Sequence, residues 1–139
     1  MDKKKMLEML NKALTMEHAC YIRYLTHAAV LTGPYAEPVA TRLKEIGQDE
    51  AGHAEKLRDR IVALGGTPTL EVEKAEGMMA TELTKILAIN IKEEESAIQM
   101  YQTILKEIPH DQETLLFETV EHILTDEMEH LEELTRLKG

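Results

Sequence analysis

Two short segments of the chain carry the same residues at the same spacing, and both have side chains that bind metal ions in proteins. One segment runs from Asp49 to His53 and the other from Asp126 to His130, and each reads Asp-Glu-x-x-His. Residues three or four positions apart share a helix face, so the glutamate and histidine of each segment project in the same direction. One such pair alone is a weak signal, because glutamate and histidine are common on solvated helix faces.

Each segment also has an upstream glutamate and an upstream tyrosine at matching distances. The complete pattern, Glu-x6-Tyr followed by Glu-x2-His, therefore occurs twice, with Tyr24 in the first copy and Tyr101 in the second. On four helices this pattern would bring together four carboxylates and two imidazoles, which is the ligand arrangement of di-iron and di-manganese carboxylate bundles. The six candidate metal ligands are Glu17, Glu50, His53, Glu94, Glu127 and His130.

The elements that must position these residues are four long helices. Apolar residues recur at helical spacing over about residues 3–31, 38–64 and 78–108, and again in a fourth stretch for which Asp111 is a suitable N-cap. In every stretch a candidate ligand interrupts the apolar stripe near mid-helix. A buried carboxylate is costly unless it is paired or binds a metal, and four unrelated ion pairs would not be expected at one depth. The shared depth favours a metal centre.

The connections between these helices predict their arrangement. The breaks at residues 32–35 and near Pro109 are short, so helices one and two form one antiparallel hairpin and helices three and four form another. The segment from Thr69 to about Gly77 has no helical period and is the longest connection, so it can run back along the bundle. We therefore predict an all-α fold: a four-helix bundle of two antiparallel hairpins joined by a crossover, in a single domain of residues 1–139.

Composition limits the partners and the compartment. The formal charge of −10 makes nucleic acid a poor partner, and no apolar run is long enough to span a membrane. No signal peptide is visible at the N terminus. The single cysteine, Cys20, excludes an internal disulfide and a Cys-x-x-Cys site. We therefore expect a cytoplasmic protein.

Some assignments stay open from the residues alone. Glu93 is the alternative to Glu94, because it also lies on a tolerable inward face, although the spacing and the tyrosine select Glu94. Cys20 is either a small core residue or a thiol close to the metal centre. The histidines outside the repeat are interpreted as surface or packing residues: His18, His27, His110 and His122.

The repeated pattern resembles that of bacterioferritin-type members of the ferritin-like superfamily. The resemblance covers nearly the whole chain and extends to the turn Leu64–Pro68 before the crossover. It implies a ferritin-like bundle that holds two irons per chain, although oxygen and nitrogen ligands without a thiolate suit manganese as well. It also implies that Glu50 and Glu127 bridge the two ions. The remaining ligands would be Glu17 and His53 for one ion, and Glu94 and His130 for the other.

Neighbouring residues would then orient the ligands. A metal-binding histidine usually donates its other N–H to a carboxylate, so Asp49 and Asp126 could each orient the histidine of the partner helix. Tyr24 and Tyr101 could donate hydrogen bonds to the terminal glutamates or supply an electron. The alternative for each tyrosine is a core aromatic residue with a satisfied hydroxyl.

Three features differ from known members of the superfamily. Ala51 occupies the position of the haem-binding methionine of bacterioferritins, which argues against haem. The chain stops before the short fifth helix of shell-forming bacterioferritins, which argues against a storage shell. Ala97 occupies the position of an additional glutamate in rubrerythrins, and the chain has no rubredoxin-like cysteine pairs.

The activity implied by the resemblance is oxidation of Fe(II) by O2 or H2O2, for iron storage or for detoxification of iron and peroxide. One alternative is a rubrerythrin-like peroxidase or a di-manganese catalase with the same ligands. Another is a metal-free helical interaction module, in which buried ion pairs would be expensive to assemble. A homo-oligomer, a dimer or larger, is predicted from apolar side chains expected to be exposed: Met6, Met9, Met78 and Met79.

Overall fold

The computed structural model describes all 139 residues and contains four α-helices and no β-strand. The helices are α1 (Lys3–Val30), α2 (Ala36–Ala63), α3 (Leu83–Lys106) and α4 (Thr114–Lys138). They lie within about two residues of the predicted bounds, which is the ordinary uncertainty of helix ends, except at the starts of α3 and α4. The predicted all-α four-helix bundle is confirmed.

The predicted starts of α3 and α4 are wrong. Residues 78–82 are extended, because the Thr32 N–H donates to the Thr81 carbonyl at 3.0 Å and Thr32 forms a short parallel bridge with Glu82. Asp111 does not cap α4, because the N–H groups of residues 112 and 113 bond to the Pro109 carbonyl in a turn, and the helix begins at Thr114.

The ends of the first hairpin follow the capping chemistry of the sequence. The Asp2 side chain accepts a hydrogen bond from the Lys5 N–H at 3.1 Å and starts α1. Pro38 lies in the first turn of α2, where backbone N–H groups have no intrahelical partner, so the missing N–H of proline costs no hydrogen bond. Gly65 ends that helix with a positive φ of 87°, a conformation that costs glycine little.

The connection from α2 to α3 lies along α1. It starts near the first turns of α1, where the Thr69 N–H donates to Asn11 Oδ1 at 2.9 Å. It passes the middle of α1, where the Glu73 N–H donates to the Thr15 carbonyl at 3.1 Å, and it ends beside Thr32. The chain therefore returns to the level at which α2 began, so α2 and α3 run parallel and the predicted crossover is confirmed.

The core between the helices is mainly aliphatic, and Tyr24 and Tyr101 are its largest fully buried side chains. One expected surface residue belongs to this core: Met6 is only 1% exposed, because it lies on the inner stripe of α1 with Leu10. Met79 is exposed as expected, at 65%. None of the helices is long and apolar enough to cross a membrane.

Candidate metal centre

Six acidic and imidazole side chains from all four helices meet inside the bundle. None of them is more than 3% exposed, although glutamate is almost never fully buried unless it is paired. They are buried because the aliphatic residues on the same helix faces form the core. These side chains are Glu17 of α1, Glu50 and His53 of α2, Glu94 of α3, and Glu127 and His130 of α4.

The six side chains form two overlapping groups. Within each group the potential ligand atoms lie within 4.8 Å of one another, and Glu50 and Glu127 belong to both groups. Glu50 and Glu127 would therefore be within reach of an ion in either group. The first group also contains Glu17 and His53, and the second also contains Glu94 and His130.

Many polar atoms of the centre have no hydrogen-bond partner. A buried polar group without a partner costs roughly 1–3 kcal/mol, and a charged one costs more. Such atoms facing one another indicate a site arranged for cations, and carboxylate oxygens with imidazole nitrogens suit iron or manganese. The residues therefore fit a pair of such ions. The unpartnered atoms are Glu17 Oε1, both carboxylate oxygens of Glu50, His53 Nδ1, Glu94 Oε1 and Glu127 Oε2.

Burial and crowding also change the protonation of the shared carboxylates. Burial raises the pKa of Glu50 well above its usual range, and the carboxylates of Glu17 and Glu127 raise it further. The pKa of Glu127 is raised by burial first and then by Glu17 and Glu94. Carboxylates this close cannot all be charged without nearby positive charge, so the centre needs either protons or metal ions.

Each histidine of the centre is held from its outer side by an aspartate. His53 Nε2 lies 2.8 Å from Asp126 Oδ2, and His130 Nε2 lies 2.9 Å from Asp49 Oδ2. Each aspartate belongs to the helix opposite its histidine. The aspartates engage Nε2 of both rings, so Nδ1 is the atom that faces the carboxylates and is available to a metal ion.

The surrounding carboxylates outweigh burial in setting the pKa values of these histidines. Burial alone would lower the pKa of His53, but the nearby carboxylates of Glu17 and Asp126 raise it overall. Burial would also lower the pKa of His130, but Glu50 and Glu94 raise it to about 11. The metal-free centre therefore keeps a proton on His130 at neutral pH.

The two tyrosines of the repeat differ in their contacts. The Tyr101 hydroxyl donates to Glu17 Oε2 at 2.6 Å. The Tyr24 hydroxyl has no hydrogen-bond partner, so it donates to neither terminal glutamate. Glu94 Oε2 instead lies 3.1 Å from His130 Nδ1. Burial is the largest cause of the raised pKa of both tyrosines, so both hydroxyls are protonated at neutral pH.

The two candidate glutamates of α3 have different surroundings. Glu94 is fully buried and faces the centre. The side chain of Glu93 is 19% exposed and lies 3.8 Å from Arg23 Nη1. Only Glu94 therefore belongs to the group of potential ligands.

A second buried polar cluster, which the sequence analysis missed, lies beside the centre. Arg23 Nε donates to Asn90 Oδ1 at 2.9 Å, and Asn90 Nδ2 lies 3.0 Å from His27 Nδ1. His27 Nε2 donates to the Met78 carbonyl at 2.7 Å. We call these three side chains, Arg23, His27 and Asn90, the Asn90 network. The signal was the spacing of Arg23 and His27, which places both on the inner face of α1.

The only cysteine, Cys20, contacts the Asn90 network through Arg23. Cys20 is 1% exposed, and its sulfur lies 3.3 Å from Arg23 Nη2. Burial raises the pKa of the thiol more strongly than Arg23 lowers it. Cys20 is therefore a buried, protonated thiol that packs beside the network.

The remaining histidines lie outside the candidate centre. His18 Nδ1 donates to the Glu71 carbonyl at 2.7 Å on the connection between α2 and α3. His110 stacks on Phe117 with 4.0 Å between ring centroids. His122 is exposed and lies 3.8 Å from Asp126.

Comparisons with known proteins agree with this geometry. Residues 7–138 match the ferritin family, described as a ferritin-like domain. The chain is 33% identical to a bacterioferritin of Desulfovibrio desulfuricans over 132 residues, which is 93% of this chain and 72% of that protein.

Two solved structures have similar folds. Ferritin-like, diiron-carboxylate proteins from Bacillus anthracis str. Ames superpose with a TM-score of 0.92 at 30% identity, covering 99% of this chain and 98% of theirs. The bacterioferritin-related protein of Bacteroides fragilis, described as a dodecameric thioferritin, superposes with a TM-score of 0.88 at 27% identity. That match covers 98% of this chain and 85% of the other.

Proposed function

Because the chain belongs to the ferritin-like family and is a homologue of bacterioferritin, we propose that it binds two iron ions and oxidises Fe(II) with O2 or H2O2. The observation that carries the proposal is the pair of overlapping ligand groups, which share Glu50 and Glu127 at the centre of the bundle. Both carboxylate oxygens of Glu50 and one of Glu127 have no hydrogen-bond partner, so these atoms would be available to the two ions.

The protein residues would hold the ions and balance their charge. The four glutamates offset the charge of two divalent ions, and His53 and His130 each offer Nδ1 while an aspartate holds Nε2. Two Fe(II) ions supply two electrons, which with two protons reduce O2 to H2O2 or reduce H2O2 to two waters. The surrounding aliphatic core excludes bulk water from the ligands.

We also propose that the chain works as a homo-oligomer. The Bacteroides fragilis relative is described as dodecameric. The connection along α1 presents exposed apolar side chains here, including Leu70 at 95% and Met79 at 65% exposure. Ile22 and Val72 lie between them, because these two residues line both neighbouring surface cavities. Such a cluster is typical of a protein interface.

The first experiment adds Fe(II) anaerobically to metal-free protein and then admits O2 or H2O2, while absorbance and particle size are followed. We expect rapid oxidation of two irons per chain. Turnover of further iron into a large particle would support storage. Oxidation that stops at two irons, with peroxide consumed only when a reductant is present, would contradict storage and favour a peroxidase.

Bridging-residue variants test the ligand assignment directly. Loss of outer hydrogen-bond partners alone costs roughly 10–100-fold in metal affinity, so Glu50→Ala and Glu127→Ala should each lose binding of the ion pair more completely than that. Glu55→Ala and Glu132→Ala are matched controls, since both residues are exposed and lie five positions after a bridging glutamate. Stoichiometric binding in both bridging variants, with helices intact, would contradict the site. No metal binding by the unchanged protein would favour the interaction module.

A further inference from the structure

A small surface cavity lies between α1 and the connection from α2 to α3, beside the Asn90 network. Its volume is about 180 Å³, and Arg23 and His27 both line it. We propose that this cavity binds a small monocarboxylate with a short aliphatic chain, held by the Arg23 guanidinium. The proposal does not depend on the metal centre, because none of the six candidate metal ligands lines the cavity.

Arg23 carries a positive charge that the protein compensates only weakly. Its side chain is 4% exposed, and a guanidinium is always charged in proteins. The closest carboxylate oxygen is Glu93 Oε1, at 3.8 Å from Nη1, which is too far for a hydrogen bond. The Tyr24 ring, whose centroid lies 5.6 Å from Cζ, adds a weak attraction. A buried charge is costly unless it is paired and hydrogen-bonded, so this position favours an anion.

The guanidinium of Arg23 also has N–H groups without good acceptors. Its acceptors are Asn90 Oδ1 at 2.9 Å, Cys20 Sγ at 3.3 Å and Met78 Sδ at 4.0 Å, and sulfur is a weak acceptor. With these three contacts made, two of the five N–H donors of a guanidinium have no partner in the protein. Met78 also lines the cavity, so Nη1 lies on that side. A carboxylate can accept two parallel hydrogen bonds from such a fork.

The other polar residues of the cavity do not supply a second positive charge. His27 Nε2 donates to the Met78 carbonyl at 2.7 Å, and His27 Nδ1 accepts from Asn90 Nδ2 at 3.0 Å. Burial also lowers the pKa of His27, so its ring is neutral at neutral pH. Glu73 lines the cavity from the exposed connection, where its carboxylate can extend into water. Arg23 is therefore the only cation that an anion would meet here.

The remaining wall of the cavity suits an aliphatic chain. It includes the apolar side chains of Ile22, Val72 and Met79. A cavity of about 150 Å³ can hold benzene, so the present one can hold a molecule of about six non-hydrogen atoms, such as butyrate. Inorganic phosphate or sulfate would leave the apolar wall without a partner, and a dicarboxylate would place its second charge against that wall.

Isothermal titration of the metal-free protein with butyrate tests the cavity apart from any iron chemistry. The unchanged protein should bind one butyrate per chain with a saturable isotherm. Butyramide and 1-butanol lack the charge and should bind at least roughly tenfold more weakly, because hydrogen bonds to charged groups are stronger than neutral ones. Acetate keeps the charge but lacks two CH2 groups, so it should also bind roughly tenfold more weakly.

Substitutions separate Arg23 from the other positive charges of the protein. Arg23→Gln should weaken butyrate binding roughly 10–100-fold, since it removes hydrogen bonds to a charged group. Arg58→Gln is the matched control, because Arg58 is exposed on α2 and does not line this cavity. It should bind butyrate like the unchanged protein. Arg23→Lys, which keeps the charge but not the planar fork, replaces the glutamine variant if that variant does not fold, and should also bind butyrate more weakly.

Three results would overturn the proposal. They are the absence of saturable butyrate binding, equal binding of butyrate and 1-butanol, and equal butyrate affinity in Arg23→Gln and the unchanged protein. A carboxylate could also come from a second subunit, because Ile22 and Val72 belong to the apolar cluster that we place between subunits. No butyrate binding, together with a lower mass of Arg23→Gln in sedimentation, would overturn the free acid and assign the cavity to the partner subunit. None of these results bears on the proposed metal centre.

Discussion

Titratable residues at the centre link pH to the stability of the metal-free fold. In the metal-free protein the pKa values of Glu50 and Glu127 are raised, and that of His130 is about 11. A group whose pKa is higher in the folded state stabilises the fold below its unfolded pKa, and this contribution is lost as the pH rises through the folded pKa.

We therefore predict that the metal-free protein loses stability as the pH rises from about 5 to about 9, because unfolded glutamate titrates near 4.3 and unfolded histidine near 6.5. Urea unfolding at several pH values measures this loss. The double variant Glu50→Gln/Glu127→Gln, which cannot ionise at these positions, should show a smaller loss. The control Glu55→Gln/Glu132→Gln should behave like the unchanged protein. Equal pH dependence in all three proteins would contradict the prediction.

The repeated spacing in the sequence was enough to select all six residues that the structure brings together, because helical periodicity converts spacing into direction. It could not distinguish Tyr24 from Tyr101, since the two occupy equivalent positions of the repeat. Their difference arises from side-chain conformation: Glu94 pairs with His130, whereas Glu17 accepts from Tyr101. These side-chain hydrogen bonds depend on residues from three or four helices at once, which a repeat in the sequence does not describe.

At the scale of elements, the Asn90 network connects α1, α3 and the connection between the hairpins. Asn90 is fully buried, and its amide also donates to the Ile86 carbonyl of its own helix at 2.9 Å. Its loss would leave Arg23 Nε and His27 Nδ1 buried without these partners. The network therefore helps to hold the helices that carry Glu17 and Glu94.

We predict that Asn90→Ala lowers the free energy of unfolding by about 2–4 kcal/mol, since buried groups left without partners cost roughly 1–3 kcal/mol each. The control is Arg42→Ala, which removes a partly exposed pair between α2 and α4 with a 2.8 Å contact from Arg42 Nη2 to Glu133 Oε1. That pair should contribute less than about 1 kcal/mol. Urea unfolding measures both variants, and equal losses in the free energy of unfolding would contradict the prediction.

The helix bounds were predicted well where hydrophobic periodicity determines them and poorly where tertiary contacts determine them. Met78 and Ala80 continue the apolar character of α3 toward its N terminus, yet pairing with Thr32 keeps this segment extended. Arg23 was missed because arginine is mostly a surface residue. Here Asn90 and Cys20 accept hydrogen bonds from the Arg23 guanidinium inside the bundle.

At the scale of the whole molecule, the apolar cluster around Ile22 and Leu70 should lie between subunits. We predict that sedimentation gives a mass above 15.8 kDa, and that Ile22→Glu/Leu70→Glu shifts the protein toward monomer because buried charges oppose association. Leu115→Glu, on an exposed site of α4 that is 62% accessible, should leave the mass unchanged. A monomeric unchanged protein would contradict the prediction.

The division of the ligands between the hairpins has a further consequence. Each ligand group takes three side chains from one hairpin and a single carboxylate from the other. A filled centre would therefore act as a double cross-link between two hairpins whose only covalent link is the connection from α2 to α3. Separating the hairpins would break one shared carboxylate contact at each ion, and each ion would leave with three ligands on its own hairpin. The two ions would then part, and each would remain on one hairpin with two glutamates and one histidine.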